Sequence, residues 1–142
     1  MKPNVKPNVN LPANSSVTSG DLLDDRLHFA KHRGQAIFVV DFSHCSAKEV
    51  LLLLEMVRTT IARQAPGSVL ILADFAGAQI DKQVATRAQE VLVLDRPYVK
   101  RAAWVGTESL PNVFYEHFKS FSQRELPSFK TREEAMDWLV AE

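Results

Sequence analysis

A single cysteine, Cys45, among 142 residues leaves no intramolecular disulfide and no thiolate zinc cage, and it argues for a reducing compartment. Glycine is scarce as well. Gly20, Gly34, Gly67, Gly77 and Gly106 stand apart from one another, so no glycine-rich loop exists to cradle a phosphate, and nucleotide binding of the P-loop or dinucleotide-fold kind is not expected. Charge of one sign is also missing: 17 Lys and Arg balance 17 Asp and Glu, which removes the generic electrostatic case for a nucleic-acid partner. No hydrophobic run approaches the roughly 18 residues a membrane helix needs, and nothing near the start resembles a signal-peptide core, so a cytoplasmic protein without a membrane partner is expected. What is present is ordinary. The chain is 46% hydrophobic and 24% charged, which suits one globular domain able to bury about two-thirds of its unfolded surface.

Residues 1–20 repeat Lys-Pro-Asn-Val twice and are otherwise Pro, Asn, Ser and Gly, too polar to offset the entropy of ordering, and they read as a flexible tail. The domain is expected over residues 21–142. From Leu27 to Asp41 two β-like runs flank Arg33-Gly34, which predicts a hairpin. Ser46 and Glu49 form a capping box ahead of a helix running to about Gln64. Pro66-Gly67 ends it, and Ser68 to Phe75 reads as a strand buried on both faces. Asp81 then caps a helix with the stripe Ile80, Val84, Ala88 and Val91, continued to about Asp95 because Val91 to Leu94 lies on that stripe despite its strand propensity. Tyr98 to Gly106 follows as a strand, and Ser109 with Pro111 predicts a cap and early proline before a helix carrying Phe114, Phe118 and Phe121. A short strand near Leu126 to Phe129 and a helix opened by a Thr131–Glu134 capping box, with Trp138 and Leu139 facing inward, complete the chain. This alternation predicts an α/β fold: a mixed sheet of four or five strands, parallel after an N-terminal hairpin, with about four helices.

Few residues carry chemistry. His28 and His32 are four apart, a metal-binding spacing on a helix, but on the strand predicted here they stand about 13 Å apart, so no metal is expected. His44 and Cys45 precede a helix start whose dipole favours a thiolate, which makes Cys45-dependent chemistry the one enzymatic alternative to a small buried residue. Arg96, Lys100 and Arg101 flank Tyr98, a grouping that holds an anion or an RNA base or else solvates a strand end. In the Ser46 helix, Val50, Leu54, Val57 and Ile61 supply one buried stripe while Leu51, Leu52, Leu53 and Met56 widen it. This pattern fits either a helix sunk between neighbours or a surface for a partner or a second copy of the chain.

The segments HRGQAIFVVDFSHCSAKEVL, SVLILADFAGA, RPYVKRAAWVG and FSQREL leading into FKTREEAMDWL resemble a STAS-type domain, the fold of anti-sigma-factor antagonists, and in particular a family of small bacterial STAS-like proteins. The resemblance covers about residues 26–142. It implies a regulatory domain without catalysis or cofactor that acts through a regulatory protein partner. Those antagonists switch by phosphorylation of a serine at the start of the helix after the third strand. Here DFAGAQIDK, between Asp74 and Lys82, holds no Ser or Thr, and Asp81 stands near that helix start as a permanent negative charge or as a plain N-cap. Phe75, Gly77, Gln79, Asp81 and Lys82 form the expected partner-binding surface. The alternative is a small-molecule or lipid-binding sensor or carrier, which a closed apolar cavity lined by Phe38, Phe42, Phe114 and Phe118 would favour.

Overall fold

The computed structural model describes residue 23, residues 25–122 and residues 126–141. The expected tail, residues 1–20, and the side chain of Phe121 lie outside the described residues. Strands β1 (Leu27–His32) and β2 (Gln35–Asp41) form the hairpin. Its two-residue turn has positive φ at both Arg33 and Gly34, the left-handed pair that matches strand twist in a tight hairpin. Ser46 closes a full capping box with Glu49 at the head of helix α1 (Ala47–Ile61). Strand β3 (Val69–Asp74) leads to helix α2 (Lys82–Asp95), and the apolar stripe does continue through Val91 as helix. A 3-10 turn containing Pro97 separates α2 from strand β4 (Val99–Val105). Helix α3 (Asn112–Ser122), strand β5 (Ser128–Phe129) and helix α4 (Arg132–Leu139) follow.

The sheet order is β1-β2-β3-β4-β5, antiparallel for the first pair and parallel thereafter. Alternation along the strands sorts the core into two layers. Phe38, Val40, Ala73, Ala102 and Trp104 face α1, α2 and α3, whereas Ile37, Val39, Leu70, Leu72, Ala103 and Val105 face α4 with Ala135, Leu139 and Val140. Because both faces are covered, β2 and β3 read as continuous apolar runs rather than alternating ones.

Two expected caps differ in detail. The Ser109 hydroxyl ends a 3-10 turn and accepts from the Gly77 backbone N–H at 2.7 Å, so it ties two loops together. Thr131 accepts from the Glu134 N–H at 3.1 Å, but only this half of the box forms. In α1, Val50, Leu53, Leu54, Val57 and Ile61 are buried, Leu51 and Met56 are half-buried, and Leu52 alone of the apolar set is exposed, at 42%. The helix is therefore sunk between neighbours, with a single leucine left at its rim. No described helix is long and apolar enough to cross a membrane.

Candidate functional site

The carboxyl ends of the parallel strands carry a pinned set of loops. His44 sits in the left-handed region, its N–H donates to the Ala76 carbonyl at 2.7 Å, and the Gln79 N–H donates to the Cys45 carbonyl at 2.9 Å. The His44 ring packs where any side chain on Gly77 would stand, and the backbone at Gly77 has positive φ, so only glycine fits there. Of the residues expected to meet a partner, Gly77, Gln79, Asp81 and Lys82 are exposed on this rim. Phe75 is not. It is 8% exposed, stacked on Phe42 at 5.0 Å and tilted against Trp104 at 4.7 Å, because strand alternation turns it toward the helical layer. Phe75 is thus corrected from surface contact to core residue. Asp81 accepts from the Val84 N–H at 2.8 Å and serves as the N-cap of α2.

Behind this rim, Asp41 and Asp74 end β2 and β3 in register with each other. Arg132, in the first turn of α4, bridges them, 3.1 Å from Asp41 and 2.9 Å from Asp74. Arg26 adds a bond of 2.7 Å to the Ser43 carbonyl and an ion pair with Asp41. Burial works to raise the Asp41 pKa, but hydrogen bonds from the Ser43 hydroxyl and N–H, with the Arg132 and Arg26 charges, hold it below the ordinary carboxylate value. Two neutralising arginines on two carboxylates make a structural clamp between the sheet end and α4.

A cavity of about 90 Å³ lies on the opposite side of the sheet, beneath α1 and α2. It runs from Phe42, Phe75 and Ile80 near the carboxyl ends of the strands to Ile61, Val99 and Asp95 near their amino ends. Phe42 and Phe118 line it, as expected, but Phe38 and Phe114 do not. Phe29 stacks on Phe38, its partner in the hairpin register, at 4.9 Å, and Phe114 stacks on Phe118 at 6.2 Å. Across the helices, Arg87 of α2 grips the Glu55 carboxylate of α1 with two nitrogens, at 2.6 and 2.9 Å. This bond holds the Glu55 carboxyl below its usual range.

The cavity ends on a charged residue. Asp95 is 5% exposed, and its Oδ1 accepts no hydrogen bond. Arg58 Nη1 stands 3.5 Å from that oxygen and likewise makes no hydrogen bond. Desolvation pushes the Asp95 carboxyl up to about 7 against the opposing pull of the Arg58 and Arg87 charges.

The remaining candidates are dispersed. His32 bonds Asp137 at 2.7 Å, and among the described residues no group of three metal-ligating side chains forms. Arg101 turns to the α4 face, where it donates to the Trp138 and Ala141 carbonyls and lies 5.4 Å over the Trp138 ring, while Arg96 lines the cavity on the other face. The basic group around Tyr98 therefore does not converge on one ligand. Cys45 is fully buried; desolvation foremost, with the Glu49 and Asp41 charges, pushes its thiol up against the pull of Arg26. Burial outweighs the Arg26 charge here. Native protein at pH 7 is expected to resist a thiol-labelling reagent until it is unfolded in urea, and labelling of the folded protein at the rate of free cysteine would restore the nucleophile reading.

No family model, curated protein or solved structure matches the chain. The cavity's charged end was nonetheless written in the sequence. Asp95 follows Val84, Ala88 and Val91 at helical spacing, an acid on an apolar stripe. The Asp41–Asp74 pair had a signal too, since IFVVD and LILAD are two buried strands that end on the same residue.

Proposed function

We propose that the chain is a non-enzymatic binding module, a sensor or carrier that holds a small apolar molecule between α1, α2 and the sheet. The cavity of about 90 Å³ carries this reading. Protein interiors pack as densely as organic crystals, and a void of this size left empty costs about 2 kcal/mol at ~24 cal/mol per Å³. Apolar walls keep water out, so an apolar occupant recovers that loss. The volume is smaller than the ~150 Å³ that accommodates benzene, which limits the occupant to a molecule smaller than that ring. Ala88 on α2 lines the cavity and is small, so Ala88→Phe fills it from one wall. Organic extraction of protein purified from its own cells, followed by mass spectrometry, should release a stoichiometric apolar compound from the wild type. The Ala88→Phe protein, folded by circular dichroism, should release little. Equal recovery from both proteins, or none from either, counts against the reading.

A second reading is favoured by the rim. Gly77, Gln79, Asp81 and Lys82 are exposed on backbone that three cross-loop hydrogen bonds hold in place, from His44, Gly77 and Gln79. A surface ordered in advance loses little entropy when it docks. In that reading the chain is a cytoplasmic regulatory module, and the STAS-like resemblance supplies the partner class, a regulatory protein. The two readings are compatible, because Phe75 lines the cavity while its neighbours Gly77 and Gln79 form the rim.

A further inference from the structure

We infer that the outer edge of β1 is a dimer interface, on which a second copy of the chain adds its own β1 antiparallel about a two-fold axis at Phe29. β1 ends the sheet, and among the described residues no strand lies on its outer side. Natural edges discourage pairing by being short or by carrying proline, a bulge or a charge. β5, at the other edge, is two residues long. β1 has six, holds no proline and keeps an unbroken register with β2. It also leaves Phe29 49% exposed, although that ring stacks on Phe38.

The hairpin decides which backbone groups a second copy can reach. The Asp41 N–H donates to the Arg26 carbonyl, so the hydrogen-bonded pairs with β2 fall on Arg26, His28, Ala30 and His32, and the N–H and C=O of Leu27, Phe29 and Lys31 turn outward. Of the two-fold antiparallel registers, the one centred on Phe29 pairs all three with their counterparts, Phe29 with Phe29 and Leu27 with Lys31. Both rings then lie side by side on the face of the helical layer, where opposed aromatics attract. Lysine on an edge deters pairing when it meets lysine, but in this register each Lys31 meets a leucine. Lys31 also reaches the end where the other copy exposes Asp25, and the two-fold repeats that opposite-charge contact. Arg26, His32 and Arg33 near by are paired within their own chain, with Asp41 or Asp137. None of the three outward residues lines the cavity, so the dimer leaves it unobstructed.

The test uses the full chain. Sedimentation equilibrium should show monomer and dimer in exchange, and a monomer at about 1 mM, far above a micromolar dissociation constant, overturns the interface. Amide hydrogen exchange read by NMR reports the register without any substitution: the Leu27, Phe29 and Lys31 amides should slow as concentration rises, while those of His28 and Ala30 are slow throughout. Outward amides protected equally at every concentration would mean that the chain covers its own edge. Outward amides that stay fast in a dimer would mean that another surface joins the copies. Either result overturns the proposal. Because Phe29 faces its own counterpart, Phe29→Lys and Phe29→Glu should each weaken the dimer about tenfold or more, and a mixture of the two proteins should pair as a heterodimer. A dimer that neither substitution weakens, or a mixture that stays monomeric, removes Phe29 from the axis and the proposal with it.

Discussion

Replacing Trp104 by alanine is expected to remove about 3–5 kcal/mol of folding stability, at the upper end of that range. Trp104 lies on β4 between the helical layer and the sheet, 5% exposed. Phe75 meets its ring at 4.7 Å, and Tyr115 and Phe118 meet it at 5.7 Å. Such contacts add to the area term, because aromatic rings in tilted and edge arrangements attract beyond the surface they bury. Truncation would enlarge an existing void, since Trp104 already lines the cavity. Surrounding side chains that do not close the first gap will not close the larger one. With total stabilities of about 5–15 kcal/mol for a domain of this size, the variant should lose between about a third and all of its stability. Urea unfolding followed by far-ultraviolet circular dichroism gives the comparison, and an unchanged slope would assign the whole loss to stability. A loss of under ~1 kcal/mol would mean that the aromatic cluster is not the centre of the core.

Stability should fall as pH rises from about 4 to about 7 through Asp95, and Asp95→Asn should abolish that part of the profile. The carboxyl titrates near 3.8 when exposed and near about 7 in the folded protein, where burial opposes its charge. Between those values the folded state holds a proton that the unfolded state has released, so each step up in pH favours unfolding. About three units correspond to roughly 4 kcal/mol, fully expressed above pH 7 and absent below pH 4. Taking the difference between wild type and Asp95→Asn cancels the titration of every other group, Asp41 included. The variant should equal the wild type at pH 4 and exceed it at pH 8. A flat difference across that range would show that Arg58 neutralises Asp95 fully in the folded state.

Local chemistry determined most of the fold in advance. The Ser46–Glu49 box, the Asp81 cap and the Arg33-Gly34 turn are short-range events, decided by residues within four positions of one another, and each forms as its sequence predicts. The order of helices and strands followed from periodicity, and the parallel sheet from their alternation. Periodicity also told Val91 to Leu94 from a strand, because one apolar stripe ran through it without a break.

Only tertiary structure decided which apolar residues are shared and which polar ones are stranded. Phe75 has the look of a loop aromatic, yet one more step of strand alternation sends it into the core. Ser109 looked like a helix cap and was claimed instead by Gly77, 32 residues away in sequence. Asp95 stood on its stripe in plain view, but its meaning depended on Arg58 arriving from another helix and on α1 and α2 leaving room above the sheet. Spacing along one chain segment encodes which face a residue takes. It does not encode the distance between two faces from different segments, and that distance sets the cavity and the separation of Asp95 from Arg58.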